Sequence, residues 1–258
     1  MMVVEIVTFA LFGLVFGSFS NVLIYRLPRK IPFGMSRSRC NDCGTQIKGY
    51  DNIPVISFIL LGGKCRTCKS KISWQYPIIE LFVAFLWVLP ILLKQKPEQA
   101  LISAVFTTIL TIIAVIDFSH LIIPDSLVIA IAVLSIPGFI LKIPPRWSDR
   151  LIGFFAVSVI IFVFAILSEK ILKKEGFGGG DIKLTAAVGL ILGWKLGLIA
   201  FGMSAFIALF MILIMKLFSK ALNEEKQIPF APALSTAMAI TYYFGESLIN
   251  WYLGLIFR

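Results

Sequence analysis

The chain changes character at Glu175-Gly176-Phe177-Gly178-Gly179-Gly180-Asp181-Ile182-Lys183, a glycine-rich segment that separates two long apolar runs. Its aspartate adjoins a run apolar enough to lie in a membrane, where an unpaired ionised carboxylate costs roughly 2.5–3.5 kcal/mol or more. A carboxylate in such surroundings is expected to have a partner. We expect that partner to be a second aspartate, Asp117, which lies at the end of another apolar run.

The composition excludes most classes of soluble protein. Of the 258 residues, 59% are hydrophobic and only 15% are charged, whereas a soluble domain carries about 25% charged residues. The net charge of +10 first suggests nucleic acid as a partner. The basic residues, however, cluster between apolar runs, as topology signals do. We therefore predict a polytopic membrane protein that lies in a lipid bilayer and binds no nucleic acid.

The apolar runs predict the number of helices, since about 20 residues are needed to cross a bilayer. A shorter run precedes a presumed turn at 193–197, and it counts as a further span. The sequence thus predicts an all-α polytopic membrane protein with about eight transmembrane helices, at residues 3–25, 76–93, 100–118, 126–142, 149–168, 184–194, 198–218 and 233–256.

The loop charges predict the orientation. Lysine and arginine concentrate in residues 26–75, 169–183 and 216–226, and they are sparser in the alternate loops. The positive-inside rule then places the odd-numbered loops in the cytoplasm and both termini outside. Residues 118–125 lie in an odd-numbered loop, so we expect both aspartates to face the cytoplasm.

All four cysteines lie in one polar insertion, residues 26–75, as Cys40-Asn41-Asp42-Cys43 and Cys65-Arg66-Thr67-Cys68. Two such pairs about twenty residues apart have the spacing of a zinc site. Four thiolates complete a closed tetrahedral site, which is structural rather than catalytic. The alternative is a pair of disulfides, which a cytoplasmic location disfavours. We predict a small cytoplasmic zinc-ribbon-like module between the first helix (1–25) and a transmembrane core (76–258).

The aspartates allow a structural and a catalytic interpretation. Asp117 and Asp181 each have the option of capping a helix or pairing with a lysine such as Lys183, and Asp125 follows a proline as an N-cap or first-turn carboxylate. Two close carboxylates instead share a proton. One then activates water while the other protonates the leaving group. Gly178, Gly179 and Gly180 leave room for an extended peptide against the backbone.

The main rival to a peptidase is a transporter or channel. In that class of protein, intramembrane aspartates relay protons or bind cations, and glycine-broken helices are common. No serine–histidine–aspartate order or HExxH pattern offers a different hydrolytic centre.

Several further segments carry a resemblance to a known family. They are Gly17-Ser18-Phe19-Ser20-Asn21-Val22-Leu23-Ile24-Tyr25-Arg26-Leu27-Pro28, Asn52-Ile53-Pro54, Gly62-Gly63-Lys64-Cys65, Tyr76-Pro77-Ile78-Ile79-Glu80, Gly178-Gly179-Gly180-Asp181 and Ile228-Pro229-Phe230-Ala231-Pro232. In this order, over nearly the whole chain, they resemble the bacterial type IV prepilin peptidases. The Gly178–Asp181 segment fits the GxGD motif shared with presenilin-like proteases.

This resemblance implies a bifunctional enzyme of the bacterial inner membrane. The catalytic acids fall on Asp117 and Asp181, whereas Asp125 matches an adjacent element that does not activate the nucleophile. The implied substrates are prepilins or pseudopilins of pilus, secretion or competence systems, cleaved between a glycine and a phenylalanine. The new amino terminus is then methylated from S-adenosylmethionine, a function associated with the N-terminal region and its cysteine module.

Two details of the methylation half stay open. Position in the opening signature leads us to expect Asn21 and Arg26 to bind S-adenosylmethionine. A peptidase without methylation, with the zinc module as a scaffold only, is the second alternative.

Overall fold

The computed structural model describes residues 2–32, 37–172, 178–218 and 228–256. Within them the chain forms a short 3-10 helix and eight α-helices: α1 (Met2–Arg26), α2 (Ile56–Leu60), α3 (Gln75–Leu92), α4 (Pro97–His120), α5 (Asp125–Ile140), α6 (Trp147–Leu172), α7 (Gly179–Phe218) and α8 (Ala231–Ile256). The beginning of the glycine-rich stretch, Glu175 to Phe177, and the basic residues Lys220 and Lys226 lie outside the described residues.

Five of these helices are long and apolar enough to cross a membrane, namely α1, α3, α4, α6 and α7. Helix α5 is apolar but has only 16 residues. Helix α8 is long enough but carries more polar side chains, among them Glu246 and Asn250. The predicted all-helical membrane fold is confirmed. Length and apolarity together select fewer spans than the eight that were predicted.

The chain divides into two compact units, Met1–Thr108 and Ile109–Arg258. In the first unit, α1 packs along α3, and small residues bring the two backbones close. A Cβ atom at Gly13 would lie 2.6 Å from the Cα of Ala84. Close approach through small residues is how helices associate in lipid, where burial of apolar surface gives no driving force. Trp87 closes this unit by stacking on Phe16 and donating to the Thr108 hydroxyl at 3.0 Å.

In the second unit, α7 is the central helix and packs against α5, α6 and α8. Its contact with α6 again uses glycine, since a Cβ atom at Gly189 would lie 2.5 Å from the backbone of Gly153. The helix is kinked at Gly193, whose φ of 71° is in the region that favours glycine. The first part of α7 therefore has its own direction, and it carries Asp181.

The predicted break at 193–197 is confirmed at Gly193, where φ of 71° and ψ of 178° interrupt the helical backbone, so α7 consists of two helical parts that meet at a kink. The structure corrects one detail of the helix prediction. The first part of α7 begins at Gly179 rather than at residue 184. Glycine has a low helix propensity, and propensity alone therefore placed Gly179 and Gly180 outside the helix. The three-part division at 25/26 and 75/76 stays a prediction.

Candidate active site and metal centre

Asp117 lies one turn before the end of α4 and is 7% exposed. Its Oδ2 atom accepts a hydrogen bond of 3.0 Å from the backbone N–H of Ala231, the first residue of α8. The first N–H groups of a helix have no partner within the helix, and the helix dipole places partial positive charge there. Asp117 therefore stabilises the start of α8, and the start of α8 stabilises a negative charge on Asp117.

Asp181 lies in the first turn of α7 and is likewise 7% exposed. Its Oδ2 atom accepts a hydrogen bond of 3.1 Å from the backbone N–H of Gly178, just before the helix. A carboxylate in the first turn is favoured by the helix dipole. Both carboxylates thus accept a backbone N–H at a helix start, Asp181 at that of its own helix and Asp117 at that of α8, as the structural interpretation of the sequence allowed.

The two aspartates lie near enough in the second unit for the charge of Asp117 to contribute to the electrostatic environment of Asp181, after burial and the Gly178 hydrogen bond. The acids come from different helices and both belong to the second unit. Neighbouring carboxylates cannot both ionise easily, so such a pair holds one proton between them. Helix capping and acid–base chemistry are compatible here, since each acid uses one oxygen for its N–H and keeps the other.

The three glycines before Asp181 differ in their surroundings. Among the residues that the structure describes, no atom lies within 4 Å of the place of a Cβ at Gly179, and only atoms of Asp181 and Gly180 lie near that of Gly178. A Cβ at Gly180 would instead lie 3.0 Å from the Cβ of Ile123, in the loop before α5. Gly179 and Gly180 therefore belong to the start of α7 and do not form an open, extended segment. Only Gly178 and Gly179 leave space for another chain.

Asp125 and Lys183 form an exposed ion pair, with 2.9 Å between Lys183 Nζ and Asp125 Oδ1. Asp125 is the first residue of α5, with Pro124 at the N-cap position, as the sequence predicted for a first-turn carboxylate. Sequence proximity suggested Asp181 as the partner of Lys183. The helical geometry of the first turn of α7 instead directs Lys183 outward to Asp125.

The four cysteines form a second, separate cluster, in the first unit. Their Sγ atoms all lie within 4.8 Å of one another, and Cys40 Sγ is 3.8 Å from Cys68 Sγ. A tetrahedral zinc site with Zn–S distances of roughly 2.3 Å places its sulfur atoms about 3.8 Å apart. None of the four is disulfide-bonded. The geometry fits one four-coordinate metal ion.

Both cysteine pairs lie on turns of the same design. Cys40 donates its N–H to Thr45 and accepts from Gly44, and Cys65 bonds in the same way to Ser70 and Lys69. The backbone N–H groups of Cys43 and Asp42 donate to the Cys40 sulfur and lower the pKa of that thiol to about 6. A thiol that ionises readily is suited to bind a metal, because the thiolate is the ligand form.

Comparison with known proteins shows what this arrangement belongs to. Residues 11–93 match the bacterial peptidase A24 N-terminal domain, and residues 104–213 match the type IV leader peptidase family. A prepilin leader peptidase/N-methyltransferase of Bacillus subtilis is 30% identical over 251 residues, covering 95% of this chain and 96% of that protein. The chain belongs to the type IV leader peptidase family.

Other members of the leader peptidase family give the same result. The prepilin leader peptidase/N-methyltransferase of Aeromonas hydrophila is 30% identical, covering 94% of this chain and 92% of its own. That of Vibrio cholerae is 36% identical, covering 80% and 84%. No solved structure is significantly similar to the chain. The family and the enzyme class predicted from the sequence are confirmed, and the transporter interpretation is not supported.

Two residues expected to bind S-adenosylmethionine in this leader peptidase lie inside the α1–α3 helix pair. Asn21 is 3% exposed and donates to the backbone oxygens of Tyr76 and Gly17. Its Oδ1 atom is buried and has no hydrogen-bond partner in the described part of the chain. Arg26 is also buried and donates to the carbonyl of Pro32.

One contributor to the aspartate site, the backbone N–H of Ala231, was not predicted from the sequence. Residue types do not show which backbone groups bind a side chain, but one nearby residue does indicate the start of a helix. Pro232 is the second residue of α8, and proline is frequent in the first turn of a helix. Pro232 therefore indicates that a helix starts in the last motif of the leader peptidase sequence. It does not indicate that this helix start faces the end of α4, where Asp117 lies.

Proposed function

We propose that this chain is a bifunctional prepilin leader peptidase and N-methyltransferase. It cleaves the basic leader from type IV prepilins or pseudopilins after a glycine, then methylates the new amino terminus with S-adenosylmethionine. The support is the family membership together with the names of relatives that align over more than nine-tenths of the chain.

The peptidase reaction is assigned to Asp117 and Asp181. One observation carries this assignment: two buried carboxylates from different helices lie within electrostatic range, and each has one oxygen held by a backbone N–H. The ionised acid removes a proton from water, which attacks the scissile carbonyl. The protonated acid donates to the carbonyl oxygen and then to the leaving amine.

Five residues around the pair support the reaction. Gly178 and Gly179 offer unobstructed backbone against which an extended substrate lies, and Gly180 allows α7 to start close to Ile123. The Asp125–Lys183 ion pair joins the starts of α5 and α7, and it keeps a positive charge two residues from Asp181.

Methylation is assigned to the N-terminal region. The four cysteines hold Zn²⁺ as a structural ion, which stabilises a loop that buries few apolar side chains. Asn21 and Arg26 would hold S-adenosylmethionine, which supplies an electrophilic methyl group to the new amine. We assign residues 26–75 to the zinc module and residues 76–258 to the peptidase core.

The enzyme is assigned to the bacterial inner membrane, with the aspartates on the cytoplasmic side and both termini outside. The basic residues of 26–75 support this orientation. A prepilin anchored by its apolar helix, with its basic leader in the cytoplasm, then brings the cleavage site to the membrane boundary. S-adenosylmethionine reaches the same side.

Cleavage in detergent tests the peptidase assignment. Purified protein is mixed with a prepilin, and loss of the leader is followed on a gel. Asp117→Asn and Asp181→Asn should abolish cleavage, whereas Glu246→Gln, an exposed acid on α8, should not. If an asparagine variant cleaves at a near-normal rate, the substituted aspartate is not catalytic. A transporter would yield no product from any variant.

Mass spectrometry of the mature pilin tests the methylation half separately. A methylated amino terminus is heavier by one methylene group. A product without that mass, formed in the presence of S-adenosylmethionine, leaves a peptidase whose zinc module is only a scaffold.

A further inference from the structure

Three segments that are far apart in the sequence meet around Glu80, a buried acid of α3. Its Oε2 atom accepts a hydrogen bond of 2.7 Å from the backbone N–H of Val55. The Ser18 side chain on α1 lies beside the same carboxylate. A Cβ at Gly17 would lie 2.6 Å from the Cα of Glu80. The acid thus holds a turn of the cysteine module through the Val55 N–H.

The turn that Glu80 holds is strained. Val55 has φ 60° and ψ −49°, and the N–H of Ile56 donates to the carbonyl of Pro54 at 2.6 Å. This is the γ-turn of positive φ, which is rare and strained. For a β-branched residue a positive φ is a genuine outlier, and it persists only where the surroundings enforce it.

The turn determines how the chain enters the second cysteine pair. It begins α2 (Ile56–Leu60), and α2 leads through Gly63 to Cys65. Phe58 on α2 packs against the ring of Trp74, with 4.8 Å between ring centroids, and against Gly63. A change in the Val55 turn would therefore move α2 and the second cysteine pair with it.

A second contact joins the first cysteine pair to the same helix, since the side chain of Asn41 lies beside that of Tyr76 of α3. Tyr76 also accepts, through its carbonyl, from Asn21 of α1. The cysteine module is thus fastened to α3 at its first turn and again at Glu80, one turn further along.

We propose that Glu80 is a positioning residue, which holds the strained Val55 turn and thereby fixes the cysteine module on the α1–α3 helix pair. Methyl transfer depends on this orientation of the cysteine module, and peptide cleavage does not. This dependence rests on the proposed function, which assigns methylation to the N-terminal region.

Hydrogen exchange and product analysis of the full-length, zinc-loaded protein test the proposal. Glu80→Ala should speed exchange of the α2 amides by roughly tenfold, as expected when a charge-assisted hydrogen bond is lost. Methyl transfer should fall by a similar factor, while leader cleavage stays within about twofold. Glu80→Gln keeps an acceptor oxygen for the Val55 N–H, so it should retain slow exchange and most methyl transfer.

A double variant separates positioning from a general loss of stability. Glycine adopts positive φ without strain, so Val55→Gly added to Glu80→Ala should restore slow exchange and methyl transfer. Glu5→Ala, which removes the acid of α1, is the matched control and should change neither.

Unchanged α2 exchange in Glu80→Ala overturns the proposal, as does a double variant that stays as impaired as Glu80→Ala. Glu80→Gln behaving like Glu80→Ala also overturns it, because the acceptor would then not be what matters. If the wild-type protein transfers no methyl group, the proposed function fails, and the exchange result still decides the role of Glu80.

Discussion

At the scale of single residues, the carboxylates of Asp117 and Asp181 each accept a hydrogen bond from a backbone N–H. Asp117 accepts from the first N–H of α8, and Asp181 accepts from the N–H just before α7. Loss of the negative charge and loss of the hydrogen-bond acceptor are therefore separate effects, and different substitutions distinguish them. Asparagine removes the charge and keeps an acceptor oxygen, whereas alanine removes both.

This difference predicts two variants of Asp117 that are equally inactive but unequally stable. Asp117→Asn should unfold at the temperature of the wild type, because its side-chain oxygen still accepts from Ala231. Asp117→Ala should lose about 1 kcal/mol, the usual effect of removing a helix N-cap. Thermal unfolding in detergent measures both. Equal stability of the two would mean that the Ala231 contact contributes nothing.

Arg150 of α6 shows how a buried charge is satisfied without a carboxylate. It donates to the carbonyls of Pro145 (3.0 Å), Leu190 (2.7 Å) and Ile143 (2.7 Å). Leu190 lies in the turn before the kink of α7. The Arg150 side chain ties the loop before α6 to the kinked part of α7.

Arg150→Ala should therefore destabilise the second unit by about 2–4 kcal/mol, since three carbonyls lose a donor in a buried site. Arg150→Lys should fall between this variant and the wild type, because one ammonium group does not match the planar fork of a guanidinium. The neighbouring Arg146, which is exposed, provides the control. If Arg146→Ala costs as much as Arg150→Ala, the three hydrogen bonds are not the cause.

At the scale of helices, the contact between α6 and α7 leaves no room for a side chain. A Cβ at Gly189 would lie 2.5 Å from the backbone of Gly153, while beside Gly202 of the same helix no atom lies within 4 Å. Gly189→Ala should thus cost about 1–3 kcal/mol, the usual penalty for overpacking. Gly202→Ala should be neutral or stabilise by up to about 1 kcal/mol through helix propensity. Equal melting temperatures for the two variants would contradict this packing.

Helix α7 also shows how far sequence patterns reach. Its apolar residues predicted a membrane helix, and Gly193 was identified as a break. The patterns did not predict how sharply the two helical parts meet at Gly193, nor that the first part begins at Gly179. Both features depend on what the glycines pack against, Pro145 and Ile123 respectively, and packing between distant segments has no local signature.

At the candidate site, too, contacts between distant segments could not be predicted from local sequence patterns. The types and spacing of the residues predicted the cysteine cluster, because four metal ligands in two short turns are encoded locally. The aspartates could be chosen from chemistry and resemblance. The partners of Lys183 and Glu80 could not, since 58 and 25 residues separate them from the groups they bind.

At the scale of the whole molecule, the division into two units predicts that metal removal acts on one of them. A strong chelator, or Cys40→Ser, should unfold the cysteine module, because metal binding supplies much of the folding free energy of such small sites. Residues 37–72 should become sensitive to protease, and metal analysis should show loss of zinc. The helices of residues 109–258 should keep their thermal stability. Protease resistance that survives complete removal of zinc would show that the module folds without it.

The paired design of the cysteine module has a consequence for its construction. Gly44 and Lys69 occupy equivalent places after the two cysteine pairs, with φ of 69° and 61°, and each half closes with an isolated bridge, Arg39 to Gln46 and Lys64 to Lys71. The two halves thus share the same local backbone design. A chain in which residues 39–46 and 64–71 exchange places should still fold and hold its ion.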